Sequence, residues 1–154
     1  MSLSRPIGLT LTLLLVAGLA CSDSSGPGGG NDGGNGGGGG TGGPITLSGS
    51  VQPILNANCA GSSCHIGNSS PPHGLNLTSG QTHANTVGVA SGQVPTMNRV
   101  EPGQPDQSYL VHMIQGTFST VGGSGPRMPL GAGSLSQAQI DIIRDWITAG
   151  ASND

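Results

Sequence analysis

The stretch Val51-Gln52-Pro53-Ile54-Leu55-Asn56-Ala57-Asn58-Cys59-Ala60-Gly61-Ser62-Ser63-Cys64-His65 carries a structural pattern and a chemical one together. Val51, Ile54, Leu55 and Asn58 recur at helical spacing, which predicts a short helix over 51–58 with Ser50 as its cap. That helix runs directly into two cysteines and a histidine. Four small residues, Ala60 to Ser63, separate the thiols. On an unbroken helix the step from Cys59 to Cys64 turns the chain by about 500°, leaving the thiols about 140° apart. Chemistry that uses both thiols on one side therefore requires the spacer to bulge, and its residues are small enough for that.

Three chemistries fit these residues. Two thiols followed at once by His is the arrangement for covalent haem: the thiols add to the two vinyl groups, and the next residue lies under the iron as an axial ligand. A Cys59–Cys64 disulfide suits an oxidising compartment. A zinc site would use both thiolates and His65, but it lacks a second ligand pair of recognisable spacing.

Composition narrows the choice. The chain has 154 residues, of which 30 are Gly; charged residues make up 7% and aromatics 2%, with one Phe, one Tyr and one Trp. So few bulky side chains make a poor core for a domain of this length, and a bound apolar cofactor is one way to fill it. The net charge is −3, and all four cations are Arg (5, 99, 127 and 144). No basic patch for nucleic acid exists in such a chain. A single long apolar run excludes a polytopic membrane protein.

That run is at the amino terminus. Arg5 precedes an apolar stretch of 14 residues, Ile7 to Ala20, which is short for a bilayer span and ordinary for an export signal. It ends Val16-Ala17-Gly18-Leu19-Ala20-Cys21 and resembles the bacterial lipoprotein signal, in which the Cys is lipidated and becomes the new amino terminus. In that family Leu usually stands where this chain has Gly18, so an ordinary signal peptide is the alternative. Residues 1–21 are read as the signal, with Cys21 as the lipidation site. From Gly26 to Gly43, 13 of 18 residues are Gly. Such a segment cannot bury enough apolar surface to offset its ordering entropy, so 22–43 is read as a disordered tether with a span of roughly 25 Å. The folding domain is placed at 44–154.

Towards the other end, Ser136 and Gln139 form a capping box and Gly150 is placed to stop a helix. Between them Ile140, Ile142, Ile143, Trp146 and Ile147 cover an arc of about 160°, the width of a packing face. Asp141, Arg144, Asp145 and Thr148 fill the solvated side. A further short helix is predicted over Tyr109–Gln115, with Leu110, Met113 and Ile114 as core. The loop Gly125-Pro126-Arg127-Met128-Pro129-Leu130-Gly131 precedes the last helix.

Taken in order, these segments resemble the small c-type cytochrome domains of exported bacterial proteins. The shared elements are the Val-x-Pro-Ile-Leu helix into Cys-x4-Cys-His, then Gly74-Leu75-Asn76-Leu77 and Arg99-Val100-Glu101-Pro102-Gly103-Gln104-Pro105-Asp106-Gln107-Ser108-Tyr109-Leu110. Arg127-Met128-Pro129 follows, then Leu135-Ser136 and a helix ending Asp145-Trp146-Ile147-x-Ala149-Gly150-Ala151. The likeness covers most of 48–151.

The resemblance implies an all-α, cytochrome c-like fold around one covalent haem c, with a long irregular insertion near 66–98. It implies thioethers from Cys59 and Cys64, with His65 and Met128 as the axial iron ligands. Met97, Met113, His73, His83 and His112 are the rival ligands. Arg99 and Arg127 are either partners for haem carboxylates or surface residues. The implied function is one-electron transfer by a monomer, without catalysis, to an unidentified redox partner protein. Its expected place is the periplasmic side of a bacterial membrane, held by lipid on Cys21; Ser22 favours the outer membrane. The alternatives are a haem enzyme or gas sensor with an open sixth position, and a haem-free lipoprotein stapled by a disulfide.

Overall fold

Leu47, Val51, Ile54 and Leu55 follow helical spacing, and in the computed structural model all four are buried along one helical segment. The structure describes residues 43–61, 64–67 and 71–154. Cys21, the signal, the Gly-rich stretch up to residue 42 and Ser62 and Ser63 of the spacer lie outside the described residues.

The first helical segment is a wide π-type turn, Leu47–Val51, continuing into α1, Gln52–Asn58. Pro53 has no amide for the ladder, and the wide turn immediately before it is where the ladder changes register. The cap is Thr46 rather than Ser50: its hydroxyl accepts from the Gly49 amide at 3.0 Å. Burial of Leu47 draws one more turn into the helix than the 51–58 pattern indicated, and Ser50 ends up inside it. Asp154 completes the cap, accepting the Leu47 amide on its side chain at 2.8 Å and the Ser48 amide on its carbonyl at 2.9 Å. These amides would otherwise lack partners at a helix start.

The predicted last helix is α4, Gln137–Thr148, and both halves of the Ser136/Gln139 capping box are formed. Ile140, Ile143, Trp146 and Ile147 are buried, whereas Asp141, Asp145 and Thr148 are exposed. Gly150 (φ +105°) breaks the helix, and the Trp146 indole donates to the Ser152 carbonyl at 3.0 Å. The helix expected at 109–115 is α3, Tyr109–Gln115, ended by Gly116 at φ +80°. It packs on α4, and α4 packs on the Leu47–Val51 turn.

The described residues of 66–98 are mostly irregular but contain α2, Thr82–Thr86, and a 3-10 turn, Pro72–Gly74. Sequence pattern missed α2 because it is held by polar side chains and not by an apolar stripe. Buried Gln52 of α1 donates to the Leu77 carbonyl at 2.9 Å and accepts from the Thr82 hydroxyl at 2.7 Å. Among the described residues β structure is confined to three isolated bridges, Val87–Val100, Ala90–Asn98 and Asn98–Ser108. The described fold is all-α.

The main core is aliphatic around Trp146, with Val51, Leu55, Leu77, Val100, Val111, Ile114, Ile143 and Ile147 at its centre. A smaller cluster joins Val94, Tyr109 and Met113 to half-buried Met97, Phe118, Val121 and Met128.

Candidate cofactor site

Cys59 follows the last residue of α1, its amide still bonded to the Leu55 carbonyl at 2.8 Å. The chain then leaves the helix. Cys64 N–H returns to the Gly61 carbonyl at 2.9 Å and His65 N–H to the Cys59 carbonyl at 3.0 Å. These two bonds bring His65 back beside Cys59.

His65 is fixed from the other side by the segment after the Pro72–Gly74 turn. Leu77 N–H donates to the His65 carbonyl at 2.8 Å, and His65 Nδ1 lies 3.3 Å from the Leu75 carbonyl. A carbonyl only accepts, so Nδ1 carries the proton and Nε2 holds the lone pair; among the described residues Nε2 has no hydrogen-bond partner. Burial holds the His65 pKa below the ordinary 6.5; the nearby His73 and Arg99 lower it further, against the opposing bond to Leu75. The ring is therefore a neutral imidazole at pH 7, oriented as metal-ligating histidines are when a carbonyl takes the other ring proton.

Met128 arrives on the loop between α3 and α4. Its amide donates to the Met113 carbonyl at 3.1 Å, and Arg127 Nε donates to the Ile114 carbonyl at 2.8 Å. Two neighbouring residues thus bind the carbonyls left open at the end of α3, which anchors the loop there.

These elements surround a cleft, partly open to solvent, with a cavity volume of about 80 Å3. Cys59, His65, Leu75 and Leu77 line it together with Arg99, Leu110, Ile114 and Met128, and with Tyr109, Met113, Gln93 and His73. The cleft divides the main core from the smaller cluster: Leu77, Leu110 and Ile114 belong to one, Tyr109 and Met113 to the other.

Of the residues singled out in the sequence, Cys59, His65 and Met128 share this cleft, and the rivals Met113 and His73 share it too. Cys64 is half-buried and is not part of the wall. Met97, His83 and His112 also lie outside the wall. His112 has Nδ1 2.8 Å from the Thr117 hydroxyl and Nε2 3.1 Å from the Asp106 carbonyl, so both ring nitrogens are engaged. Arg99 lines the cleft, while Arg127 is exposed apart from its bond to α3.

Cys59 and Cys64 are free thiols here. Burial, with Cys64 as a lesser contribution, raises the Cys59 pKa to about 11. Such a site disfavours a thiolate and suits an uncharged sulfur, as in a thioether. Among the described residues no group of three or more His, Cys, Asp or Glu is placed to hold a metal ion. A neutral imidazole, a Met thioether and a buried neutral sulfur thus share one apolar cleft.

Sequence reasoning did not reach the Leu75 carbonyl or the three backbone carbonyls that Arg99 binds (His73, Gly74 and Asn85). Backbone acceptors leave no mark on residue type. Comparison with protein-family models, with curated proteins and with solved structures finds no match to this chain. No described helix is long and apolar enough to cross a membrane.

Proposed function

We propose that the chain is a haem c electron-transfer protein of cytochrome c-like fold, exported and tethered at a bacterial membrane surface. The observation that carries this reading is the convergence of Cys59 and His65 with Met128, which is distant from both in sequence, on one apolar cleft. Cys59 and Cys64 would hold haem through thioethers, and His65 and Met128 would be its iron ligands. Haem so held supplies a one-electron couple, and a Met opposite His raises its potential relative to two His ligands.

The chain's own residues prepare the site. The Leu75 carbonyl sets the His65 tautomer, the two bonds to the end of α3 place the Met128 loop, and Leu75, Leu77, Leu110 and Ile114 keep water from the apolar walls. With His65 and Met128 both as ligands the iron would have no open position for a substrate, which favours a carrier over an enzyme. Arg99, Arg127 and Arg144 stand against Glu101, Asp106, Asp141, Asp145 and Asp154, a net of −2 for the domain, so electrostatic steering to a partner is weak. A lipid anchor on Cys21 and the Gly-rich tether would offset this by raising the effective concentration near a membrane-bound partner.

The test is a haem stain of the exported full-length protein on a denaturing gel, produced in a host with haem c maturation, beside Cys64→Ala. A stained band that is lost or much weakened in the variant is expected. An unstained wild-type band overturns the reading in favour of a haem-free lipoprotein.

A further inference from the structure

The guanidinium of Arg99 is engaged with backbone, not with another charge. Its Nη2 donates to the His73 carbonyl at 2.7 Å, and its Nη1 to the carbonyls of Asn85 at 2.8 Å and Gly74 at 3.3 Å. His73 and Gly74 both have left-handed backbone, φ +55° and +65°. For His73 that conformation is unfavourable, since its β-carbon crowds the following carbonyl. The turn therefore needs an external hold, and the two carbonyls it presents are the ones Arg99 binds. The next residue is Leu75, whose carbonyl meets His65 Nδ1. Arg99 itself is anchored: its amide donates to the Val89 carbonyl at 2.7 Å and its carbonyl accepts from Leu110 N–H at 2.9 Å.

We infer that Arg99 is a positioning residue for the His65 imidazole, acting through the Pro72–Leu75 turn. The inference rests on the reading of His65 as an iron ligand. Arg99 links the start of α3 to the turn, the turn presents the Leu75 carbonyl, and that carbonyl fixes the tautomer and tilt of the ring. A firm Nδ1–H···O=C bond makes the imidazole a stronger donor, which favours ferric iron and lowers the potential. Arg99 also brings a positive charge, and charge alone acts the other way: its removal favours ferric iron and lowers the potential. The two roles therefore have opposite signs.

The experiment compares R99K, R99M and Gly74→Ala with wild type, all as matured full-length protein. The direct readout is hydrogen exchange of the His65 ring N–H in the reduced protein, followed by NMR. Lys keeps the charge but cannot fork to three carbonyls, and Gly74→Ala disturbs the turn while leaving Arg99 intact. All three should exchange about tenfold faster or more, the order expected when one partly buried hydrogen bond is weakened. R99K should in addition have a raised potential. Wild-type exchange rates in R99K and Gly74→Ala, or an unchanged potential in R99K with a lowered one in R99M, reduce Arg99 to a charge and overturn the inference. Should the Arg99 variants fail to fold, exchange in Gly74→Ala decides. A wild type without covalent haem sinks the functional reading itself, whereas a haem-loaded wild type with unresponsive variants sinks this inference alone.

Discussion

Met128 and Met113 are joined through their backbones, the Met128 amide donating to the Met113 carbonyl over 3.1 Å, and both side chains line the same cleft. Two thioethers thus reach the site from adjoining pieces of backbone. One belongs to the buried face of α3 and the other to a loop docked on its end. Met113 is buried at 8% exposure with Val94 and Tyr109, and Met128 packs half-buried against the same cluster.

Met128→Ala should keep the covalent haem, lose the weak far-red band of Met–iron ligation and bind carbon monoxide readily when reduced. Wild type should bind it poorly. Optical titration of both proteins with carbon monoxide checks this. A variant that keeps the wild-type spectrum assigns the position to Met113 or His73, and a wild type that binds the gas readily favours the open-site enzyme or sensor.

Gly123 is required by packing. A β-carbon there would collide with Tyr109 Oη and lie 2.9 Å from the Phe118 carbonyl. Tyr109 Oη donates to Gln93 Oε1 at 2.8 Å, which also accepts from Ser124 N–H at 3.3 Å, so the collision would strike a junction in the cleft wall. Gly123→Ala should destabilise the domain by about 1–3 kcal/mol, the usual cost of overpacking. Urea unfolding measures it, and a neutral result would show that Tyr109 moves aside freely.

The His65 ring sets an acid dependence of stability. In the unfolded chain its pKa is near 6.5, and in the fold burial, His73 and Arg99 hold it lower. Between the two values the unfolded chain binds the proton and the folded one does not, so this contribution falls as pH drops below 6.5 and is complete above it. Ligation at Nε2 excludes the proton too and has the same sign. Urea midpoints from pH 4 to 8 should therefore decline on the acid side, and less so in His65→Gln.

Haem would join two clusters that otherwise meet across a cleft. A Cys59→Ala/Cys64→Ala variant that carries no haem should be largely unfolded or molten, with little cooperative transition. Calorimetry beside the haem-loaded wild type provides the comparison, and a sharp transition near the wild-type midpoint counts against a structural role for the group.

Much of the helical frame was readable from residue order. The box at Ser136 and Gln139, the stripe from Ile140 to Ile147 and the stop at Gly150 define α4, and the pattern around Leu110 defines α3. These are local signals, set by side chains within a few residues of one another. The Thr46 cap was less legible because Leu47 and Asp154, far apart in the chain, help to make it. α2 escaped because Thr82 and Thr86 are held by hydroxyl bonds, to Gln52 and to the Thr82 carbonyl, in a segment without periodicity.

By itself the sequence determined the helices α3 and α4 and the grouping of Cys59, Cys64 and His65, which rest on spacing and residue type along the chain, while the all-α expectation and the choice of Met128 rested on the resemblance of the ordered segments to a known family. Tertiary structure alone decided that Cys59, His65 and Met128 face one cleft while Cys64 stands outside its wall. It alone placed the Leu75 carbonyl on His65, and Arg99 on the turn before it. The physical reason is that these relations run through backbone carbonyls and through contacts between distant segments. Every residue offers the same carbonyl, so only the path of the chain selects which one meets the ring.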